Sequence, residues 1–360
     1  MTRQLNLSFH VLIFLGLIHV TTFIVSGAPQ VPCYFIFGDS LVDSGNNNGL
    51  TGEAKANYPP YGIDFPQGVT GRFTNGRTSA DIIGQLLGFS KFIPSYATAT
   101  DQEIETGVNY ASGYAGIREE TGSHQGDRIS MDRQLLNHQA TISRVMALQR
   151  NKTYTDEYLK KCIYLSNIGS NDYINNYLLP MFYSTSKTFT VEQYASVLIQ
   201  QYSQQLKTLY NIGARKIVVY GLAKIGCTPI EIRRFDTNGK PCVEWINDAV
   251  KLFNDRLKSL VDELNSSYID AKFTIMNLTS IASPILGAVP VLPNVTCCQV
   301  REQDGQCIPN SIPCLVRAVT IFYDALHPSE SSNTLIATRS YKEVSPTDTY
   351  PYDISHLARL

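Results

Sequence analysis

Short apolar runs alternate with longer amphipathic stretches along most of this chain. Runs rich in β-branched and aromatic residues predict four strands, at residues 33–37, 162–166, 216–220 and 273–276. Apolar residues at helical spacing predict three long helices between them, at residues 129–149, 191–210 and 243–264. This alternation is typical of an α/β protein whose parallel sheet is covered by helices on both faces.

The first predicted strand ends in Gly38-Asp39-Ser40, which places a serine just beyond its carboxyl end. This end of a parallel sheet is where α/β proteins bind their ligands. Ser40 is therefore a candidate nucleophile. The same tripeptide is also common as a turn that caps a following helix, and that alternative stays open.

A candidate base and its partner stand far downstream, at Asp324 and His327. A serine nucleophile needs an imidazole to accept its proton and a carboxylate to orient that imidazole. Pro328 disfavours helical dihedrals at His327, so we expect both residues on a constrained loop. The other five histidines have less suitable surroundings: His10 and His19 in the N-terminal leader, His124 in a Gly/Ser-rich loop, His138 in a predicted helix and His356 near the end.

Two further segments can supply hydrogen-bond donors to an oxyanion. Residues 107–113 end in small residues that let the backbone approach a ligand, and residues 168–172 follow a predicted strand. A backbone N–H and an asparagine amide are suitable donors. Each segment taken separately is also consistent with an ordinary turn at the end of a strand.

Taken in chain order, four motifs resemble those of the GDSL esterase/lipase family, also called SGNH hydrolases, and most closely its plant secreted branch. The motifs are Gly38-Asp39-Ser40, residues 107–113, residues 168–172 and residues 324–328. The resemblance runs from about residue 31 to about residue 341 and includes residues 46–48, 71–77 and 226–229. Ser329 stands where threonine is common, and residues 321–323 lack a tryptophan that often precedes the aspartate.

The resemblance implies a flavodoxin-like three-layer α/β/α sandwich with a central parallel sheet. It also implies a role for each site residue: Ser40 as nucleophile, His327 as base, Asp324 as the group that orients His327, and the Ser40 N–H, the Gly113 N–H and the Asn171 side chain as oxyanion donors. We expect no metal and no organic cofactor.

Charge and the N-terminal segment bear on partners and location. The formal net charge is −1 and no basic stripe is present, so nucleic acid is not an expected partner. Residues 1–27 predict a cleaved secretory signal, with Arg3, an apolar stretch at 11–20 and small residues at its end. A signal anchor is the alternative, and no later stretch predicts a membrane span. Residues 28–360 are then expected to form one hydrolase domain.

Secretion changes how the eight cysteines are interpreted. In an oxidising compartment the group Cys297, Cys298, Cys307 and Cys314 favours disulfides over a zinc site. Cys227 and Cys242 bracket a turn-like connection and are expected to pair. Cys162, followed by Cys33, is expected to be a free buried thiol. Glycosylation sequons occur at Asn151, Asn265, Asn277 and Asn294.

These observations predict a secreted, extracellular serine esterase or lipase that cleaves carboxylic esters of small molecules, lipids or polymers through an acyl-enzyme. An apoplastic acyltransferase with the same three residues is an alternative. A catalytically silent lipid- or glycan-binding protein is another. The irregular stretch at residues 50–77 either covers the pocket or packs on the sheet as a structural excursion.

Overall fold

The computed structural model describes residues 27–288 and 295–360, and the predicted signal segment lies outside them except for Gly27. The fold class is confirmed. The described chain forms a sheet in the order β1-β2-β3-β4-β5. Its strands are Tyr34–Gly38 (β1), Ile163–Asn167 (β2), Lys216–Tyr220 (β3), Lys272–Met276 (β4) and Thr349–Tyr350 (β5). β1 to β4 are parallel and β5 is antiparallel to β4.

Helices connect and cover the strands. Their bounds are α1 Ser79–Leu86, α2 Met131–Gln149, α3 Lys152–Lys160, α4 Ser170–Asp172, α5 Thr185–Thr188, α6 Val191–Asn211, α7 Pro229–Arg234, α8 Glu244–Ser267, α9 Leu278–Ala288, α10 Glu330–Tyr341 and α11 Ile354–Arg359. A π-helical turn, Tyr173–Tyr177, follows α4 directly. The three predicted helices correspond to α2, α6 and α8. Ser130 and Thr190 cap α2 and α6 by accepting a backbone N–H of the first turn.

Alternate side chains of the strands enter two separate cores. On one face Phe35, Tyr164 and Ile217 pack with residues of α2, α6 and α8. On the other face Ile36 and Leu165, with Val218, pack with residues of α1, α9, α10 and α11. Both faces of the sheet are therefore buried, as expected for parallel strands. The result is the predicted three-layer α/β/α sandwich.

Residues 106–112 run parallel to β1 along its outer edge. The Tyr34 N–H donates to the Thr106 carbonyl (3.1 Å), and the Tyr110 N–H donates to the Ile36 carbonyl (2.7 Å). This edge segment comes second in the chain, after β1, but lies at the outer edge of β1. If it is counted as the second strand, the strands that continue through β2, β3 and β4 lie in the order 2-1-3-4-5, which is the flavodoxin-like order. The strand order reverses between β1 and β2, which places the topological switch point there.

The disulfides confirm one expected pair and overturn another expectation. Cys227 and Cys242 are bonded as predicted, and the downstream group pairs as Cys297–Cys314 and Cys298–Cys307. The expectation that Cys162 and Cys33 are free thiols is wrong, because they form a disulfide with a Cα–Cα distance of 4.7 Å. Each immediately precedes one of two neighbouring parallel strands, so the register of β1 and β2 brings them together.

The first prediction concerns how tightly the edge segment packs on β1. At Gly107 the backbone φ is +129°, and a Cβ would lie 2.0 Å from the Tyr34 carbonyl oxygen. We therefore expect Gly107→Ala to destabilise the protein by about 3 kcal/mol or more, through strain and displacement of the segment.

Gly68→Ala is the matched control, because φ is +70° there and a Cβ would meet no atom within 4 Å. It should cost only the left-handed backbone penalty of about 1–2 kcal/mol. Denaturant unfolding of both variants measures the difference. Equal stability would contradict the close packing of residues 106–112.

Candidate active site

The end of β1 is clamped so that Ser40 stands on a tight turn. The Gln134 side chain of α2 pairs with both backbone groups of Gly38, at 2.9 and 2.8 Å. The Asp39 N–H donates to the Asn167 carbonyl at the end of β2 (3.1 Å). A Cβ at Gly38 would lie 2.4 Å from that same carbonyl oxygen, so the close approach requires glycine.

Asp324 and His327 lie on a non-helical loop just before α10, as predicted. The Leu326 and His327 N–H groups both donate to Asp324 Oδ1, at 2.8 and 2.7 Å. This local turn anchors Oδ1 and leaves Oδ2 to face the imidazole. Ser329, which follows Pro328, caps α10 and ends the loop.

The three side chains are joined in series by short hydrogen bonds. His327 Nδ1 lies 2.7 Å from Asp324 Oδ2, and His327 Nε2 lies 2.7 Å from Ser40 Oγ. A carboxylate only accepts hydrogen bonds, so the Nδ1–H donates to it and Nε2 is left to accept the serine hydroxyl. All three residues are buried.

The Asn171 side chain points to the same region from α4, immediately after β2. Its Nδ2 donates to the Ala115 carbonyl (3.0 Å), and its Oδ1 accepts from Asn175 Nδ2 (2.7 Å). An amide carries two N–H hydrogens, so one remains for a ligand. Asn171 and Ser40 both line one cleft.

Gly113 does not fit the predicted role of oxyanion donor. Its N–H donates to Asp43 Oδ2 at 3.0 Å, and Gly113 is absent from the residues that line the cleft in the described chain. Asp43 also accepts from the Gly45 and Asn46 N–H groups, so its carboxylate holds two loops together. The structure therefore corrects this assignment.

The neighbouring residue, Tyr114, has the properties expected of such a donor. It lines the cleft beside Ser40, and no acceptor for its N–H occurs within residues 27–288 and 295–360. Its φ is +63°, which is unusual for a bulky residue and typical of strained functional positions. The sequence carried one signal: a single large side chain within the run of small residues 111–116.

The cleft opens along the carboxyl edge of the sheet. Each of the four parallel strands is followed by a segment that lines it: Ser40 and Leu41 after β1, Asn171 after β2, Ala223 and Lys224 after β3, and Leu278 after β4. Apolar side chains dominate the walls, among them Ile174, Ile225, Leu326 and Ile336. The cleft therefore suits an apolar group attached to the reacting centre.

Residues 50–77 pack behind the site and line no part of the cleft that the structure describes. The Phe73 ring lies against the His327 imidazole, with centroids 5.0 Å apart. Arg72 forms a bidentate salt bridge with Asp81, and the Thr74 hydroxyl donates to the Pro328 carbonyl. Of the two alternatives for this stretch, the structure favours the packed excursion.

Tyr61, in the same stretch, reaches the site directly. Its hydroxyl lies 2.6 Å from Asp324 Oδ2, on the oxygen that also accepts from His327. No sequence signal pointed to it, because tyrosine is abundant in this chain and residues 61 and 324 are far apart.

Three buried carboxyl groups surround the site. Burial raises the pKa of Asp39 to about 7, and the pKa of Asp43 and that of Asp172 to about 6. Asp172 accepts from the Ile117 and Arg118 N–H groups, so it holds the loop beyond Tyr114. Asp39 has the fewest hydrogen bonds of the three: within the described chain only the Leu41 N–H donates to its carboxyl group, and its Oδ2 has no partner.

Within residues 27–288 and 295–360, no cluster of three or more His, Cys, Asp or Glu residues is arranged to hold a metal ion. No helix of the same residues has the length and apolar character needed to span a bilayer.

The predicted glycosylation residues differ in how free their amides are. Asn151 is exposed at the start of α3. Asn265 and Asn277 donate from Nδ2 to the Phe273 and Thr347 carbonyls, which occupies the atom that would carry a glycan. Asn294 lies outside the described residues.

A buried serine, histidine and aspartate in series, at the carboxyl edge of a doubly wound sheet, define a serine-hydrolase-type α/β protein. Comparison with known proteins gives the family. The GDSL-like lipase/acylhydrolase family matches residues 34–339. Two Arabidopsis thaliana proteins are similar to this chain. GDSL esterase/lipase At1g29670 is 50% identical over 92% of each chain, and GDSL esterase/lipase At1g29660 is 49% identical over 94% of each chain. The chain belongs to the GDSL-like lipase/acylhydrolase family.

The chain is also similar to solved structures, of which one is the OSK domain of Drosophila Oskar. That domain covers 53% of this chain and 69% of its own, at 12% identity and a TM-score of 0.23. A likeness at that score supports neither a shared fold nor a shared activity.

The second prediction concerns the pH dependence of stability. In the folded protein the Asp39 carboxyl stays protonated up to pH about 7, whereas its ordinary pKa is 3.8. The folded state therefore binds more protons between these values, and stability falls as pH rises through that window. The difference corresponds to about 4 kcal/mol at 1.36 kcal/mol per pKa unit. Asp39→Asn should remove this loss.

Melting temperatures at pH 5 and pH 8 test the prediction. Asp39→Asn should reduce the fall in melting temperature between pH 5 and pH 8. Asp248→Asn, at an exposed position on α8, should leave that fall unchanged. An unaltered fall in Asp39→Asn would show that this carboxyl is ionised in the folded protein at pH 5.

Proposed function

We propose that this protein is a secreted serine esterase that hydrolyses carboxylic esters through an acyl-enzyme intermediate. The observation that carries the proposal is the hydrogen-bonded series Asp324–His327–Ser40 at the base of an apolar cleft. The names of the Arabidopsis relatives, all GDSL esterase/lipases, support the same class of reaction.

In the first half of the reaction, Ser40 Oγ attacks the ester carbonyl and His327 Nε2 takes the hydroxyl proton. Asp324 holds the imidazole in the tautomer that leaves Nε2 free, and it stabilises the imidazolium that forms. The His327 Nε2–H then protonates the alcohol oxygen as the carbon–oxygen bond breaks. The acyl group remains on Ser40.

The negative charge on the carbonyl oxygen needs donors that are fixed before the reaction. We assign this role to the Ser40 N–H, the Tyr114 N–H and the Asn171 amide. Within the described chain the two backbone groups have no other acceptor, and the amide has one hydrogen to spare. Fixed donors of this kind stabilise the transition state without reorganisation during the step.

In the second half a water molecule takes the place of the alcohol. His327 Nε2 accepts a proton from the water, whose oxygen attacks the acyl carbonyl. As the bond between the acyl carbon and Ser40 Oγ breaks, the Nε2–H returns the proton to Oγ and the acid leaves. Activity should fall at acidic pH, because a protonated imidazole cannot accept the proton of Ser40. The apolar side chains of the cleft suit the hydrocarbon part of an ester.

Secretion is part of this proposal. Four disulfides in the described chain favour an oxidising compartment. The amino-terminal residues 1–27 carry the sequence pattern of a secretory signal. Among the three sequon residues within the described ranges, Asn151 is the best exposed for a glycan.

The third prediction tests the nucleophile. Ser40→Ala should abolish hydrolysis of nitrophenyl butyrate and covalent labelling by a fluorophosphonate, because no oxygen remains to be acylated. Ser170→Ala, which removes another serine hydroxyl from the same cleft, should keep both. Labelling or turnover by a folded Ser40→Ala protein would remove Ser40 from the mechanism.

The fourth prediction tests the oxyanion donor on α4. Asn171→Ala should lower kcat by about 100- to 1000-fold with little change in KM, because the amide bonds the charge that develops in the transition state. Asn175→Ala is the control: it removes the same Asn171–Asn175 hydrogen bond but leaves the Asn171 amide in place. Equal losses in the two variants would assign Asn171 a structural role instead.

A further inference from the structure

The Asp324 carboxylate has a fourth hydrogen-bond donor that the proposed mechanism does not use. Tyr61 is fully buried, and its hydroxyl lies 2.6 Å from Asp324 Oδ2. It also lies 3.0 Å from the Cys307 N–H, which donates to it. A phenol has one hydrogen, so with its oxygen already accepting from Cys307 the hydrogen is directed at Asp324.

We propose that Tyr61 is a positioning residue for the reaction: its hydroxyl fixes the plane of the Asp324 carboxylate and shares the charge of the oxygen that binds His327. This inference rests on the proposed function, because Tyr61 acts only through Asp324 and His327. Tyr61 is not among the described residues that line the cleft.

The surroundings of Tyr61 hold it in one place. Its ring packs against those of Tyr58, Phe73 and Tyr323, at centroid distances of 5.4, 6.1 and 5.8 Å. The preceding residue, Pro60, accepts a hydrogen bond from the Tyr323 hydroxyl at 2.6 Å. Tyr323, just before Asp324, is therefore hydrogen-bonded to Pro60, just before Tyr61, and this fixes the two segments relative to each other.

A disulfide completes the attachment. Cys307, the donor to Tyr61, is bonded to Cys298, and the Cys298 N–H donates to the Tyr323 carbonyl at 3.2 Å. Burial, together with the charge of Asp324, raises the pKa of Tyr61 well above its ordinary value, so the hydroxyl keeps its proton throughout the working pH range.

Charge sharing determines the direction of the expected effect. With two donors on Oδ2, less negative charge is available to His327 than with one. Loss of the Tyr61 hydroxyl should therefore strengthen the hold of Asp324 on the imidazolium, and protonation of His327 should persist to higher pH. It should also let the carboxylate rotate, which disturbs the alignment needed for proton transfer.

The fifth prediction compares Tyr61→Phe with Tyr58→Phe. The control removes a phenol hydroxyl from the same segment; that hydroxyl donates to the Cys307 carbonyl (2.9 Å) and does not touch Asp324. We expect Tyr61→Phe to lower kcat by about 10- to 100-fold with KM within about twofold, as for other groups that orient an active residue. Tyr58→Phe should keep kcat within about threefold of the wild type.

The pH at which kcat/KM falls on the acidic side of its profile, the acid limb, is a readout that a merely structural role would not move. Tyr61→Phe should shift it upward by about half a pH unit or more, and Tyr58→Phe should not. The other titratable groups near His327 and Asp324 are Asp39, Tyr58, Tyr114 and Tyr323. Asp39, Tyr114 and Tyr323 are intact in both variants, so their titration contributes equally.

Each kcat is calculated per mole of protein that a fluorophosphonate labels, so that unfolded protein does not lower it. A double-mutant cycle with Asp324→Asn then tests the route of action. If Tyr61 acts through the carboxylate, Tyr61→Phe should change kcat by less than about threefold in the Asp324→Asn background. Independent, multiplicative losses would overturn the proposal.

A second substitution covers the case in which Tyr61→Phe does not fold. Site-specific 3,5-difluorotyrosine at position 61 keeps the ring and hydroxyl but makes the hydroxyl a stronger donor, so the acid limb should move to lower pH. An unmoved limb would overturn the proposal. Failure of Ser40 to label is a separate result, which would sink the proposed function rather than the role of Tyr61.

Discussion

A carboxylate without contact to water constrains this site more than any other feature. Asp324 is 0% exposed, and a buried charge is costly unless its oxygens are fully hydrogen-bonded. Two backbone N–H groups of its own turn, the His327 ring and the Tyr61 hydroxyl meet that requirement. Because Tyr61 comes from a distant segment, the chain must bring residues 61 and 324 together before this charge can be buried.

The sheet provides the frame in which that meeting occurs. Ser40 depends on the end of β1, and Asn171 depends on the end of β2, so the parallel register of the two strands sets their separation. His327 comes from the loop before α10. Residues 71–77 pack against that loop from behind, which makes the excursion at 50–77 a support for the imidazole.

Much of this frame could be predicted from sequence, and the exceptions have physical causes. The four parallel strands are apolar on both faces, and the long helices carry a clear 3.6-residue period, so the predicted bounds fall close to the observed ones. Residues 106–112 and Thr349–Tyr350 were missed. Their pairing depends on a partner strand supplied by the fold, and neither has an apolar period of its own.

The candidate site shows the same division. Residue type and sequence context selected Ser40, Asp324 and His327 as candidates, because the chemistry demands those residue types, and the structure brings the three side chains into one hydrogen-bonded series. Gly113 was assigned wrongly because the direction of its N–H depends on Asp43, a residue 70 positions earlier. The Cys33–Cys162 bond was missed for a similar reason: only the register of β1 against β2 places these two residues side by side.

The adjacent cysteines 297 and 298 have a consequence for anyone who prepares this protein. Their partners, Cys314 and Cys307, are close together, so exchanging partners yields an isomer of identical mass, identical thiol count and nearly identical loop sizes. In that isomer Cys307 is tied to the neighbouring residue, and its N–H no longer meets the Tyr61 hydroxyl in the same way. Intact mass and thiol assays cannot distinguish the two isomers. Because Cys297 and Cys298 also stay on the same peptide after digestion, stepwise reduction with alkylation, followed by sequencing of the labelled peptides, is the proper test of homogeneity.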